Sequence, residues 1–446
     1  MKILLINPPR SPWNNILEFA PEQAKPYIHK KLIGPPLGLI TIAAAARDHD
    51  VHVLDMKGEY DLSPAAPPPG SLLTGYLRKI KPDIVGVTFI ASEFNHGIDI
   101  FRTAKLFNPD IITVAGGLHA TLCPLDFTDK SVDLVMPGQC ANTFMDFIRA
   151  RERGDALSGI RGILLNSGPG LEYTGVSGQR WEPAGRDFIF PDRSFLKRWI
   201  PAYHAGQSPH ASTYIFTSLG CPYRCTFCSI WQQYGGRYLQ RDVESVIREL
   251  KMVDEYPVVR FADANTIVNE KFINKLFDRI KEEGIEKFFI MDVRFDTAVN
   301  NPRLIEKLAR GGLKVVICGF ESYREEELAR YKKEASAKLI EKAISIFHSN
   351  GIMLRGNYLI PSDYTEDDFT ALADYAASHR VVYAGYTILT PMPGTEYYNK
   401  VRERVIDFDL SKYNFFNSVF KTIMPEEKFY ENVGRLWLIK EGTDVI

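Results

Sequence analysis

Three of the chain's six cysteines, Cys221, Cys225 and Cys228, fall within eight positions in SLGCPYRCTFCSIW, while Cys123, Cys140 and Cys318 stand singly. Thiolates at this spacing suit a zinc ion or an iron–sulfur cluster, and both ordinarily take four protein ligands. Three ligands leave one position open. In a structural metal site that is a defect, whereas in a cluster that holds a reactant on iron it is a requirement. The alternative is a three-cysteine zinc site completed by a histidine elsewhere.

Other groups able to do chemistry lie downstream. In MDVRFDT the polar residues Asp292, Arg294 and Asp296 alternate with Met291, Val293 and Phe295, which charges one face of a strand end. Arg294 there has a plain structural use, an ion pair with Asp292 or Asp296. In GFES, Glu321 and Ser322 end another apolar run, and Ser322 with Glu325 also spells a helix capping box. FADAN places Asp263 and Asn265 after a strand, where they can face a cavity or simply precede a helix. Cys318 lies three residues before Glu321 and by strand alternation packs on the opposite face. Cys123 and Cys140 read as small core residues.

The elements that must position these groups come in two series. With 446 residues, 45% hydrophobic and 24% charged, the chain suggests two domains of a soluble globular protein. The formal net charge of −1 gives no global pull toward nucleic acid or an anionic membrane. No apolar run approaches a membrane span, and MKILLINPP is too short for a signal peptide, so the expected location is the cytoplasm. There, clustered cysteines mean a metal or redox site rather than disulfides.

From residue 1 to about 150, KILLIN, VHVLD, DIVGVTFI, IITVAGG and VDLVMPG alternate with helical patterns, which predicts a Rossmann-like, doubly wound parallel sheet, with SPAAPPPG at 63–70 as a surface loop. Residues 151–210 read as a linker with a hairpin around Ile163–Tyr173. From 211 to 395, STYIFTSLG, VVRFAD, FFIMDVRF, LKVVICGFES, LRGNYLIP and YAGYTILTPMPGT alternate with helices near 243–256, 269–283, 302–310, 336–350 and 366–379. Six such units predict a partial (β/α)6 barrel with function at the C-terminal strand ends. Residues 396–446 read as a short helical segment that closes the substrate cavity or packs as a plain cap.

Cys-x-x-x-Cys-x-x-Cys after the first strand of a partial barrel resembles the radical S-adenosylmethionine (SAM) superfamily, and Phe227 before the third cysteine fits the same pattern. The resemblance implies that Cys221, Cys225 and Cys228 hold a [4Fe–4S] cluster whose fourth iron is chelated by SAM. It further implies that Arg294 neighbours the SAM carboxylate, and that Glu321 and Ser322 hydrogen-bond its ribose or amino group. The implied chemistry is reductive cleavage of SAM to a 5′-deoxyadenosyl radical that takes hydrogen from an unactivated carbon. An electron donor such as flavodoxin or ferredoxin is implied with it.

The segments NPP, GPPLGLITIAAAARDHDVHVLD, KPDIVGVTF, AGGLHAT and VDLVMPG look like the cobalamin-binding domain that precedes many radical SAM barrels. On that resemblance Thr88, Gly116 and Gly117 lie near the corrinoid's nucleotide tail, or else serve as ordinary turns after strands. Two features depart from the pattern. The Asp-x-His-x-x-Gly signature is absent, with Lys57 at the histidine position, and GQCANTF at 138–144 lacks the usual acidic residues.

The leading expectation is a cobalamin-dependent methyltransferase acting on an unactivated carbon of a small metabolite, lipid or natural product. The alternatives are a radical SAM enzyme of dehydration, cyclisation or rearrangement without cobalamin, and a non-catalytic iron–sulfur or zinc protein.

Overall fold

The computed structural model describes residues 1–28, 34–168, 170–175, 188–204, 210–333, 336–381 and 384–439. The linker's stretch 176–187 and the chain's last residues, 440–446, lie outside them. Two compact units emerge: residues 1–12 with 35–203, and residues 13–34 with 204–446.

The first unit holds strands β1 (Lys2–Asn7), β2 (Asp50–Asp55), β3 (Ile84–Thr88), β4 (Ile112–Gly116), β5 (Leu134–Val135), β6 (Leu164–Asn166) and β7 (Leu171–Tyr173), in spatial order β2-β1-β3-β4-β5-β6-β7. The first five run parallel, and β6 and β7 add an antiparallel hairpin at one edge. β1 lies inside the sheet, between β2 and β3, and Ile3, Leu4, Leu5 and Ile6 bury both its faces, as an inner parallel strand must. Chain order reverses between β1 and β3, so the crevice beyond their C-terminal ends is the topological switch point. The expected loop at 63–70 yields its last two residues to the helix Pro69–Ile80, whose first position proline's fixed φ suits.

The second unit holds β8 (Ser212–Ile215), β9 (Ser218–Gly220), β10 (Tyr238–Gln240), β11 (Val258–Phe261), β12 (Phe288–Asp292), β13 (Leu313–Glu321), β14 (Met353–Ile360) and β15 (Gly385–Ile388). Six of them pair side by side in the order β8-β11-β12-β13-β14-β15, all parallel. Helices Val243–Met252, Glu270–Glu282, Pro302–Arg310, Ala337–Ser349 and Glu366–Ser378 alternate with them. Their starts follow local chemistry: Asn269 caps one, and Thr365 with Asp368 forms a capping box on another. Phe277 of one helix packs on the Phe261–Phe289 stack, which fixes the outer face of the sheet.

STYIFTSLG, read as one strand, is two. β8 ends at Ile215, and β9 pairs antiparallel with β10. Gly220 makes that hairpin possible, since at φ +79° any Cβ would lie 2.0 Å from the Arg237 carbonyl oxygen. The helix Asn15–Phe19 joins this unit by packing on Glu426–Leu436, with Phe19 stacked on Tyr430 at 5.8 Å. Among the described residues no helix is long and apolar enough to cross a membrane.

Candidate active site

Cys221, Cys225 and Cys228 follow β9 directly and are half-buried. The loop folds back on itself: Cys228 N–H donates to the Cys225 carbonyl at 3.2 Å, and Trp231 Nε1 donates to the same oxygen at 3.0 Å. Burial raises all three thiols, and burial first and then its two cysteine neighbours take Cys228 to about 11. Lys333 and Arg294 act in the opposite sense on Cys221 and Cys225. Three converging thiols of this kind ionise together only around a strongly cationic centre.

The loop is held from behind. Asp263, fully buried, accepts from Thr217 N–H at 2.8 Å, Ser218 N–H at 2.9 Å and the Thr217 hydroxyl at 2.6 Å. Its desolvation raises the carboxyl to about 6, despite these donors. Asp263 is therefore a buttress of the cysteine loop. Phe227 meets Tyr331 edge to face at 5.7 Å and so packs against the cluster that Tyr331 forms with Leu359 and Leu389, which anchors the loop to the barrel.

Arg294 forms its ion pair with Asp296, at 3.0 Å, and lies 3.7 Å above the Tyr223 ring in the cysteine loop. Asp292 belongs instead to Arg260 at 2.8 Å. Glu321, at φ +62°, turns its carboxylate to Lys333 Nζ at 2.9 Å. The capping box expected at Ser322 does not form: its hydroxyl accepts from Arg324 N–H at 3.0 Å, and the helix Glu325–Arg330 starts without a side-chain cap. Asn265, 2% exposed, has neither its amide nitrogen nor its oxygen hydrogen-bonded. A buried amide left open on both sides is what a polar ligand would satisfy. Cys318 is fully buried on the outer face, as expected.

Lys333 escaped the sequence reading. Twelve residues separate it from Glu321, and nothing in YKKEAS distinguishes it from its neighbour Lys332, which pairs with Glu396 instead.

In the first unit, Thr88, Gly116 and Gly117 stand together at the ends of β3 and β4. Gly117 sits at φ +94°, and a Cβ there would lie 2.6 Å from Thr88 Oγ1 and 2.7 Å from Phe89 N, so it is a turn the packing demands. Over Gly116 the space is open, with only the Met136 carbonyl within 4 Å of an added Cβ. Phe89 fills the core beneath, against Phe94, Phe101 and Phe127. Lys57 is engaged by buried Glu93 at 2.6 Å, so neither histidine nor a free amine faces the switch point from that position. Cys140 precedes the helix Ala141–Arg153 and its thiol is raised to about 11 by burial.

An open parallel barrel with three cysteines on its first loop, carried in one chain with a doubly wound sheet, defines a class: iron–sulfur enzymes that cleave SAM beside a corrinoid-type unit. Residues 215–376 match the radical SAM superfamily and residues 28–148 the B12 binding domain. An uncharacterized methyltransferase of Pyrococcus horikoshii is 30% identical over 403 residues, 87% of this chain and 83% of the relative. An anaerobic magnesium-protoporphyrin IX monomethyl ester cyclase of Rubrivivax gelatinosus is 25% identical over 358 residues, 77% of this chain and 63% of the relative. Among solved structures, the radical SAM methyltransferase TsrM of Kitasatospora setae, with cobalamin and [4Fe–4S] cluster bound, shares the fold at a TM-score of 0.69 and 18% identity, over 97% of this chain and 85% of that one. The chain belongs to the radical SAM superfamily, in the branch with an N-terminal B12-binding domain. Its cofactors are accordingly a [4Fe–4S] cluster, SAM and cobalamin.

Proposed function

We propose that the chain is a cobalamin-dependent methyltransferase that acts on an unactivated carbon of a small metabolite, lipid or natural product. The observation that carries this reading is the presence of both cofactor units in one chain, with the B12 match on residues 28–148 and the cysteine triad inside the match at 215–376. The Pyrococcus relative and TsrM are methyltransferases by name, which supports it.

When bound, the cluster with SAM supplies a carbon radical by reductive cleavage, and cobalamin supplies a methyl carrier. The chain's own residues bind and orient. Cys221, Cys225 and Cys228 would hold three irons. Arg294 and Glu321 offer charged partners to the carboxylate and amino group of SAM, and Ser322 and Asn265 offer neutral ones. Phe227 fixes the loop that carries the cluster. Thr88, Gly116 and Gly117 would receive the corrinoid tail, the open face of Gly116 being where backbone and ligand can approach closely. A low-potential donor such as flavodoxin or ferredoxin would deliver electrons, in the cytoplasm.

The second reading is a non-methylating radical SAM enzyme, favoured by the name of the Rubrivivax relative, a cyclase. Reduced protein given SAM labelled in its methyl group separates the two. Methyl transfer moves label into the corrinoid or a product. Label remaining wholly in methionine while 5′-deoxyadenosine forms replaces the first reading with the second.

A further inference from the structure

The inside of the barrel is less filled than the outside. On β8, β11, β12 and β14 the inward side chains Tyr214, Arg260, Asp292, Arg355 and Asn357 are all partly accessible. Their outward neighbours Ile215, Val259, Phe261, Met291, Leu354 and Tyr358 are buried. Register places the inward set together: Asp292 pairs with Ile317 and Ile317 with Arg355, while Arg260 pairs with Tyr214. One layer up, Asn357 lies between Gly319 and Gly385, its amide lying over Gly385 while the Glu321 carboxylate and Lys333 lie over Gly319.

This lumen carries unequal charge. Arg260 and Arg355 face one carboxylate, Asp292, and Arg260 takes it at 2.8 Å while lying 5.5 Å over the Tyr214 ring. Arg355 has no hydrogen bond to any described residue. Its guanidinium keeps five donors, and burial and the neighbouring Arg260 lower its pKa to about 10. A partly buried guanidinium that shares one carboxylate with a second arginine and has no hydrogen-bonded partner of its own is costly unless a further anion joins it. The rim groups nearby, Glu321 with Lys333 and Arg294 with Asp296, are already paired with each other. Leu359, four residues after Arg355 on the same face, belongs to the apolar cluster against which Phe227 of the cysteine loop packs, so Arg355 lies about 13 Å below that cluster along β14. A substrate whose anion sits at Arg355 would have to span that distance to reach the iron–sulfur cluster.

We propose that Arg355, beside the Arg260–Asp292 pair, binds a carboxylate, phosphate or phosphonate group of the substrate in the barrel lumen, so that the enzyme selects acidic substrates and the anion sets which carbon is presented. The inference rests on the reading of the chain as a radical SAM enzyme whose barrel receives the substrate. Planar bidentate donation is what arginine offers such oxyanions.

The test is calorimetric titration of the reconstituted full-length protein with methylphosphonate and with acetate at constant ionic strength, with and without SAM. Saturable binding unaffected by SAM is expected. Arg355→Gln should raise the dissociation constant at least tenfold, Arg355→Lys less, and Asp292→Asn should lower it by releasing Arg260. Iron content and circular dichroism report the fold of each variant. If Arg355→Gln does not fold, Arg355→Lys and Asp292→Asn decide the matter by their opposite signs. Equal binding in wild type and Arg355→Gln overturns the proposal, as does weaker binding in Asp292→Asn. Competition by SAM also overturns it, because the anion bound would then be SAM's own carboxylate. Loss of cobalamin retention with intact methylphosphonate binding would remove the methyl-transfer reading and leave this one standing.

Discussion

Lys333 lies 2.9 Å from the Glu321 carboxylate, and both belong to the charged surroundings of the Cys225 thiol. Burial opposes the charge on Lys333, yet Glu321 and then Cys225 hold its pKa above the ordinary value. The pair is nearly neutral as a unit, so Glu321 offers oxygen lone pairs to a ligand without placing net negative charge beside the cluster.

Arg294 and Glu321 should each prove to hold SAM. Alanine at either position is expected to weaken SAM binding by about 1–3 kcal/mol, the range for losing a charge-assisted hydrogen bond. Equilibrium binding of SAM to reconstituted, correctly folded variants measures this. Unchanged affinity in both would assign Arg294 to Asp296 and Glu321 to Lys333 as structural pairs only.

Alanine at Cys221, Cys225 or Cys228 should each abolish the cluster, and alanine at Cys123, Cys140 or Cys318 should leave it intact. Anaerobic iron and sulfide quantitation checks this. Retention of full cluster in a Cys225→Ala protein would contradict the ligand assignment.

Asp263 gives a pH signature. Its carboxyl is raised from an unfolded value near 4 to about 6, so its contribution to stability is complete below about pH 4 and is lost as pH rises through 6, on the order of 3 kcal/mol. Asp263→Asn keeps an acceptor for Thr217 and Ser218 N–H without the buried charge. Its advantage over wild type in thermal unfolding should therefore grow between pH 4 and 6 and then level off. Asp263→Ala should destabilise throughout, by about 1–3 kcal/mol, through unsatisfied donors. A pH-independent difference for Asp263→Asn would refute the assignment.

Lys57 is predicted to matter for stability and not for corrinoid binding. Lys57→Met strands buried Glu93, whose pKa burial already raises, and should cost about 3 kcal/mol, more at high pH than at low. Hydroxocobalamin retention by the same variant should equal wild type. A loss of corrinoid without a loss of thermal stability would make Lys57 part of the cofactor site.

Much of this was legible in the sequence because periodicity and capping are local. The helix Pro302–Arg310 falls on its expected residues, and Glu270–Glu282 within one residue of them, because the apolar stripes and caps that define them lie within their own turns. The cysteine loop was legible for the same reason. The β9–β10 hairpin was not, since it depends on Gly220 meeting Arg237 across seventeen residues. Glu321–Lys333, Lys57–Glu93 and the unequal charge of Arg260, Arg355 and Asp292 were hidden likewise. Each joins residues on different elements, and only strand register shows which side chains share a face. Residues 13–34 grouping with the second unit is a tertiary choice of the same kind, made by contacts such as Phe19 on Tyr430.

The most direct test of the central claim is anaerobic reconstitution of the full chain with iron, sulfide and hydroxocobalamin, followed by removal of free ligand and quantitation of both cofactors. The account predicts one four-iron cluster and close to one corrinoid per chain, with 5′-deoxyadenosine formed from SAM on reduction. A protein that holds the cluster and cleaves SAM but retains no corrin absorbance would contradict cobalamin-dependent methyl transfer.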